Sequence, residues 1–138
     1  MIPLTVRSYY SLMWGTASPQ AICITARKLG YTRLALTDTD NLYGLWPFIT
    51  ACRRAGITPI VGAEITDPET GTRAVCLVEN DTGYRNLCRL ITRRHCDESF
   101  RLARALSDQS AGLIMLTGCE KLLAALHAAG TAVAAALP

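Results

Sequence analysis

The feature that most constrains this chain is alternation: short apolar runs recur between longer segments whose apolar residues repeat at three- and four-residue spacing. Leu4 to Ser8 reads as a strand that passes into a loop through Gly15. Ser18 then offers an N-cap oxygen, Pro19 suits the first helical position, and Gly30 supplies a left-handed stop. Arg33 to Thr37 is the next predicted strand, ending in the loop cluster Asp38-Thr39-Asp40-Asn41. A helix over Leu45 to Ala55 follows, with Pro47 in its first turn and Gly56 closing it. Pro59 to Ile65 and Arg73 to Glu79 read as strands of a hairpin turned by Asp67-Pro68-Glu69-Thr70-Gly71. Asp81 is expected to cap a helix over Thr82 to Arg94, with more helix between Ser99 and Leu106. Gly112 to Thr117 is a further strand and Glu120 to Ala129 a helix, and the alanine-rich tail from Gly130 to Pro138 begins another element.

Strand, helix and strand with short joins imply an α/β fold, with a mostly parallel sheet under helical cover, either open or curled into a barrel. In both forms chemistry collects at the C-terminal ends of strands, which here carry Arg7, Ser8, Asp38, Thr39, Asp40 and Glu64. No internal repeat and no domain boundary is legible within residues 1–138, and the unfinished pattern at the tail reads as an excerpt of something longer. With 50% hydrophobic residues the chain has the apolar surface to build a core, which excludes disorder as the main state. A net charge of +3 is too small to serve alone as a nucleic-acid footprint. No run reaches the ~20 apolar residues of a membrane span, and the first residues lack a signal-type core, so a cytoplasmic protein without a membrane partner is expected.

The six cysteines are scattered without a C-x-x-C pair and are expected to be reduced packing residues. His95-Cys96 is a potential ligand pair beside Asp97 and Glu98, but adjacent residues rarely converge on one metal, so a solvated helix end is expected there. Tyr10 and Tyr43 are expected to pack, whereas Tyr9 stays a candidate for stacking on a nucleotide base. Arg85, Arg89, Arg93 and Arg94 fall at near four-residue spacing on one predicted helix. A solvated face is the default for such a stripe, and Arg85, Arg89 and Arg93 are the candidate contacts should DNA use it.

Five stretches carry a resemblance in order: Ser8-Tyr9-Tyr10-Ser11-Leu12, Leu34 to Gly44 with Thr37-Asp38-Thr39-Asp40 at its centre, Gly56 to Glu64, Glu79 to Leu87, and Gly112 to Cys119. Together they resemble the start of the PHP (polymerase and histidinol phosphatase) domain of bacterial DNA polymerase III alpha subunits. The resemblance covers about the whole chain. It implies a partial distorted (β/α) barrel with helices outside and, in active members, a metal cluster at the strand ends that hydrolyses phosphoesters. In polymerases it implies an N-terminal domain that is either a metal-dependent proofreading exonuclease or a platform that has lost its metals.

The family's opening His-x-His falls on Thr5 and Arg7, and its Thr-Asp-His-Gly histidine falls on Thr39, followed by Asp40. The Gly-x-Glu carboxylate survives as Glu64, and the histidine often found at the start of the following strand corresponds to Arg73. Threonine is a poor zinc donor and guanidinium has no lone pair to offer. His95 and His127, the only two histidines, match no ligand position. The resemblance thus implies a vestigial pocket of Thr5, Arg7, Asp38, Thr39, Asp40, Glu64 and Arg73. In it the charge of Arg7 and Arg73 replaces the metals and pairs with Asp38 and Glu64. No catalytic residue, no metal and no cofactor is expected, with zinc or manganese as the alternative. The preferred function is a scaffold in DNA replication or repair. The alternatives are a metal-dependent phosphoesterase or 3′–5′ exonuclease with an altered site, and an anion- or phosphate-binding module built on Arg7 and Arg73. The expected partners are the remainder of a polymerase alpha-type chain or replication subunits, DNA, and a second copy of this chain covering exposed sheet edges and apolar faces.

Overall fold

The computed structural model describes residues 1–136 and contains, in chain order, α1 (Pro19–Lys28), β1 (Arg33–Thr39), α2 (Leu45–Ala55), β2 (Thr58–Thr66), β3 (Arg73–Val78), α3 (Asp81–Cys96), α4 (Leu102–Asp108), β4 (Leu113–Thr117), α5 (Glu120–Ala128) and β5 (Val133–Ala135). The chain divides inside β2 into two units, Met1–Ala63 and a second beginning at Glu64.

In the first unit the helix ends follow their sequence signals. The Ala21 N–H donates to Ser18 Oγ at 3.1 Å and Pro19 opens α1. Gly56 closes α2 at φ 66°, a conformation that glycine adopts without a Cβ penalty. Residues 34–38 of β1 are buried without alternation, as in a strand covered on both faces. Leu34 and Leu36 pack with Cys23 and Ala26 of α1 and with Phe48 and Cys52 of α2. Burial of a side chain such as Phe48 or Leu34 contributes about 1.5–3 kcal/mol relative to exposure. β1 runs to Thr39, so Asp38 and Thr39 belong to the strand end and the loop starts at Asp40, where φ is 54°.

The predicted strand Leu4 to Ser8 is not one. It lies along β1, taking the Ala35 N–H at Pro3 O and the Thr37 N–H at Val6 O. Pro3 has no N–H to return, and the Val6 N–H donates to Thr37 Oγ1 instead of a carbonyl, so no regular ladder forms.

In the second unit β2 neighbours β3, β3 pairs antiparallel with β4 (Val75 opposite Leu116), and β4 pairs parallel with β5 (Met115 opposite Val133). The antiparallel pair is a local departure from the parallel pattern within an α/β fold. Ile65, Leu77, Leu87, Leu90, Phe100, Leu106, Met115 and Leu126 are among its buried residues. Asn80, not Asp81, caps α3: its backbone is extended as an N-cap requires, and its Oδ1 accepts from the Gly83 N–H at 3.1 Å. Gly83 is needed where it stands, because a Cβ there would meet Gly112 O at 1.8 Å. The helix expected from Ser99 starts at Leu102. Asp97 ties Ser99 into a turn through Oδ1, and the free end of α4 is capped from afar, with the Leu102 N–H donating to Asp67 Oδ2 at 2.8 Å. The tail element is β5; Leu137 and Pro138, at the end of that predicted tail, lie outside the described residues. Among the described residues no helix is long and apolar enough to cross a membrane.

Candidate functional site

The C-terminal end of β1 delivers Asp38 into a polar cluster where it is 2% exposed. Ser8 Oγ donates to Asp38 Oδ2 at 2.7 Å, while the Ser8 N–H and Ser11 Oγ both donate to Oδ1, each at 2.7 Å. These short charge-assisted bonds compensate the carboxylate for lost water. Ser11 Oγ in turn accepts from the Thr39 N–H at 3.0 Å, which ties the loop to the strand end. The loop can return this closely only because residue 15 is glycine: a Cβ there would sit 1.9 Å from Ser8 O. Asn41 completes the cluster, donating to Tyr10 O and Thr39 O and accepting from the Tyr43 N–H. Beside Asp38 the cavity lined by Leu36, Asn41, Leu42, Leu45 and Gly62 holds about 10 Å³, the lower limit for one water.

The other candidate positions of the first unit are arranged around this cluster unequally. Ser11 brings Asp38 and Thr39 together. Thr5 is exposed, and Asp40 is half-buried in the left-handed turn. The Arg7 guanidinium carbon lies 5.7 Å above the Trp14 ring, a cation–π distance. Tyr10 is half-buried, its ring stacked on Tyr9 at 4.6 Å and edge-on to Tyr43 at 6.5 Å. Tyr43, expected to pack, is instead 73% exposed, because the turn fixed by Asn41 carries it outward. Sequence reasoning places Ser8 only among the strand-end positions and does not single out Ser11 or Asn41 as site residues, since the ligand pattern directs attention to imidazoles and carboxylates. The signal that marks them is Ser-x-x-Ser preceding an aspartate two residues beyond the apolar run Leu34-Ala35-Leu36.

In the second unit Glu64 is 4% exposed and its Oε1 lies 3.6 Å from Arg73 Nη1 at the start of β3. Thr117 Oγ1 donates to the Arg73 carbonyl at 2.9 Å. Asp67, which sequence assigned only to a turn, is a second buried carboxylate: its Oδ1 accepts from the Glu69 and Thr70 N–H groups at 3.0 Å each, and its Oδ2 from Leu102. Burial pushes its pKa up, but the backbone N–H bonds from Leu102, Thr70 and Glu69 and the Thr70 hydroxyl outweigh that and hold it below the ordinary carboxylate value.

The arginines of α3 reach local partners. Arg85 donates to Thr82 Oγ1, Arg89 to Asn86 Oδ1, and Arg93 pairs with Asp108 at 3.9 Å; Arg94 instead donates twice to Thr66 Oγ1. His95 and Cys96 end α3 and are exposed, and His127 lies in the last turn of α5. All six cysteines are free thiols. Among the described residues no three His, Cys, Asp or Glu side chains are grouped so as to hold a metal ion.

Helices packed on a mixed sheet, with a buried carboxylate at the end of one strand and another within the next, define an α/β protein of the kind that places chemistry at strand ends. Residues 3–128 match the PHP domain, and the chain belongs to that family. It is 35% identical over 135 residues to the DNA polymerase III subunit alpha of Treponema pallidum (strain Nichols), covering 86% of this chain and 12% of that protein. It is likewise 35% identical over 112 residues to the error-prone DNA polymerase of Anaeromyxobacter sp. (strain K), covering 78% and 10%. The chain thus spans about a tenth of the length of the polymerases it matches. Its fold is similar to that of an amidohydrolase from Chromobacterium violaceum with bound sulfate and no metal, at a TM-score of 0.64 and 17% identity, covering 96% of this chain and 75% of that one.

Proposed function

We propose that this chain is a non-catalytic PHP segment of a DNA polymerase III alpha-type protein, serving as a scaffold and interaction surface in DNA replication or repair. The observation that carries this reading is the engagement of Asp38. Three short donors take up most of the carboxylate's roughly four lone-pair sites, and the adjoining cavity of about 10 Å³ leaves no space for a phosphoester. The donor set supports it. Where the family pattern places imidazoles the chain has Thr5, Arg7 and Thr39, and Glu64 has the Arg73 cation beside it. These residues do not fit a zinc or manganese cluster, so no hydrolytic step is assigned to them. The ion pair also disfavours Arg73 as a fork for free phosphate. The partners that follow are the remainder of an alpha-type chain, replication subunits bound to it, and a second copy of this chain.

The test joins elemental analysis of protein from metal-replete medium to a nuclease assay on single-stranded DNA with and without chelator. Less than stoichiometric metal and no turnover are expected. Stoichiometric zinc or manganese with chelator-sensitive turnover overturns the reading in favour of a phosphoesterase or 3′–5′ exonuclease.

A further inference from the structure

Two thiols of the first unit lie at reactive distance. Cys23 of α1 and Cys52 of α2 place their Sγ atoms 3.4 Å apart in the helix–helix contact, both buried and both unoxidised. A disulfide needs about 2.05 Å, so the two must close by about 1.4 Å to bond. Cys23, and not Cys52, also lines a mostly apolar cavity of about 260 Å³ between the two helices, with Gln20, Thr50 and Arg54 among its other walls. A small reagent entering there meets Cys23 first.

We propose that Cys23 and Cys52 form a nucleophile-and-resolver dithiol, oxidised by a low-molecular-weight disulfide that carries a carboxylate, enters the cavity and is oriented by Arg54. Cys23 loses its proton to solvent, and its sulfur attacks one sulfur of the reagent. A mixed disulfide forms and one thiolate leaves, taking up a proton. Cys52 then attacks the Cys23 sulfur, expels the second thiolate and passes its own proton to it. Two protein thiols are oxidised and one small disulfide is reduced to two thiols. The division of roles follows access, since of the two thiols Cys23 lines the cavity. Burial raises both thiols above the ordinary value, Cys52 to about 12, so each attacks only as its thiolate forms.

Oxidised glutathione is the probe, applied to the native chain with Cys88, Cys96 and Cys119 replaced by serine. Peptide mapping is expected to show Cys23 linked to Cys52, reversibly with dithiothreitol. Cys52→Ser is expected to accumulate the glutathione adduct on Cys23. Arg54→Gln is expected to slow oxidation by this anionic reagent about threefold and to leave oxidation by neutral hydroxyethyl disulfide unchanged. Cys23 and Cys52 both unmodified after prolonged incubation, or an adduct on Cys52 ahead of Cys23, overturns the proposal. Equal slowing of both reagents by Arg54→Gln overturns the orienting role. The cross-link itself is read without changing Cys23, Cys52 or Arg54, so misfolding of a variant leaves the test intact.

Discussion

In the first unit a buried strand-end carboxylate is held by neutral donors, whereas in the second the buried carboxylates are held by a cation or by a helix end. Asp38 takes two serine hydroxyls and one backbone N–H, Glu64 faces Arg73, and Asp67 takes three backbone N–H groups, one of them opening α4. All three solutions satisfy the rule that a buried charge must be compensated. They differ in what they cost to change. Hydroxyl donors brought in from a loop tie that loop to the sheet, so Asp38 carries the loop's order as well as its own charge. Arg73 has a side chain 39% exposed, and water can replace much of what its pairing supplies.

The sharpest way to break this contrast is Asp38→Ala. It orphans the Ser8 and Ser11 donors in a buried site, and a loss of about 3 kcal/mol is expected from urea unfolding. Asp38→Asn keeps an acceptor for part of the cluster and should recover about half of that. A loss below about 0.5 kcal/mol for Asp38→Ala would mean that the loop is held by other contacts and that the neutral-donor account of the first unit is wrong.

Asp67→Ala is the corresponding change in the second unit, with a smaller expected cost of about 1 kcal/mol because it removes chiefly a turn and a helix cap. Its pH dependence has a definite sign. The folded pKa lies below the ordinary 3.8, so the folded state favours the charged form. That contribution is complete above the unfolded carboxylate value and is lost as pH falls through the lower, folded one. The stability gap between the parent chain and Asp67→Ala should therefore be constant near neutrality and narrow below about pH 4. A gap that widens in acid would show that Asp67 is protonated in the folded state.

What was legible in the sequence divides along the range of the interactions. Ser18-Pro19 and Gly56 marked their helix ends because each signal and its partner lie within one turn. The start of α4 was misplaced because its cap, Asp67, lies 35 residues away. The strand at Leu4 to Ser8 failed for the same kind of reason: its ladder is disrupted by the hydroxyl of Thr37, 31 residues on. Of the site, Asp38 and Glu64 could be named from the resemblance. The Ser8–Ser11 grip on Asp38 could not, since it depends on a loop folding back through Gly15. Asp67 was missed as a buried acceptor because Asp-Pro-Glu-Thr-Gly reads equally well as a solvated turn.

The smallest expected effect concerns charge, where the units again part. Of the 14 basic and 11 acidic residues, the first unit holds six (Arg7, Arg27, Lys28, Arg33, Arg53, Arg54) against two (Asp38, Asp40), leaving eight against nine in the second. The arginine stripe of α3 thus belongs to the unit without a basic excess, and Arg85, Arg89 and Arg93 are each engaged by a neighbouring side chain. A stripe so partnered is a solvated helix face, whose pairs contribute little. Replacing Arg85 and Arg89 together by alanine should change stability by less than about 0.5 kcal/mol. It should also change affinity for a single-stranded oligonucleotide at low salt by less than about twofold. Phosphate contacts would instead weaken binding strongly and flatten its salt dependence by about one unit of slope per arginine. A tenfold loss with that flattening would assign the DNA contact to the second unit, where the charge balance argues against it.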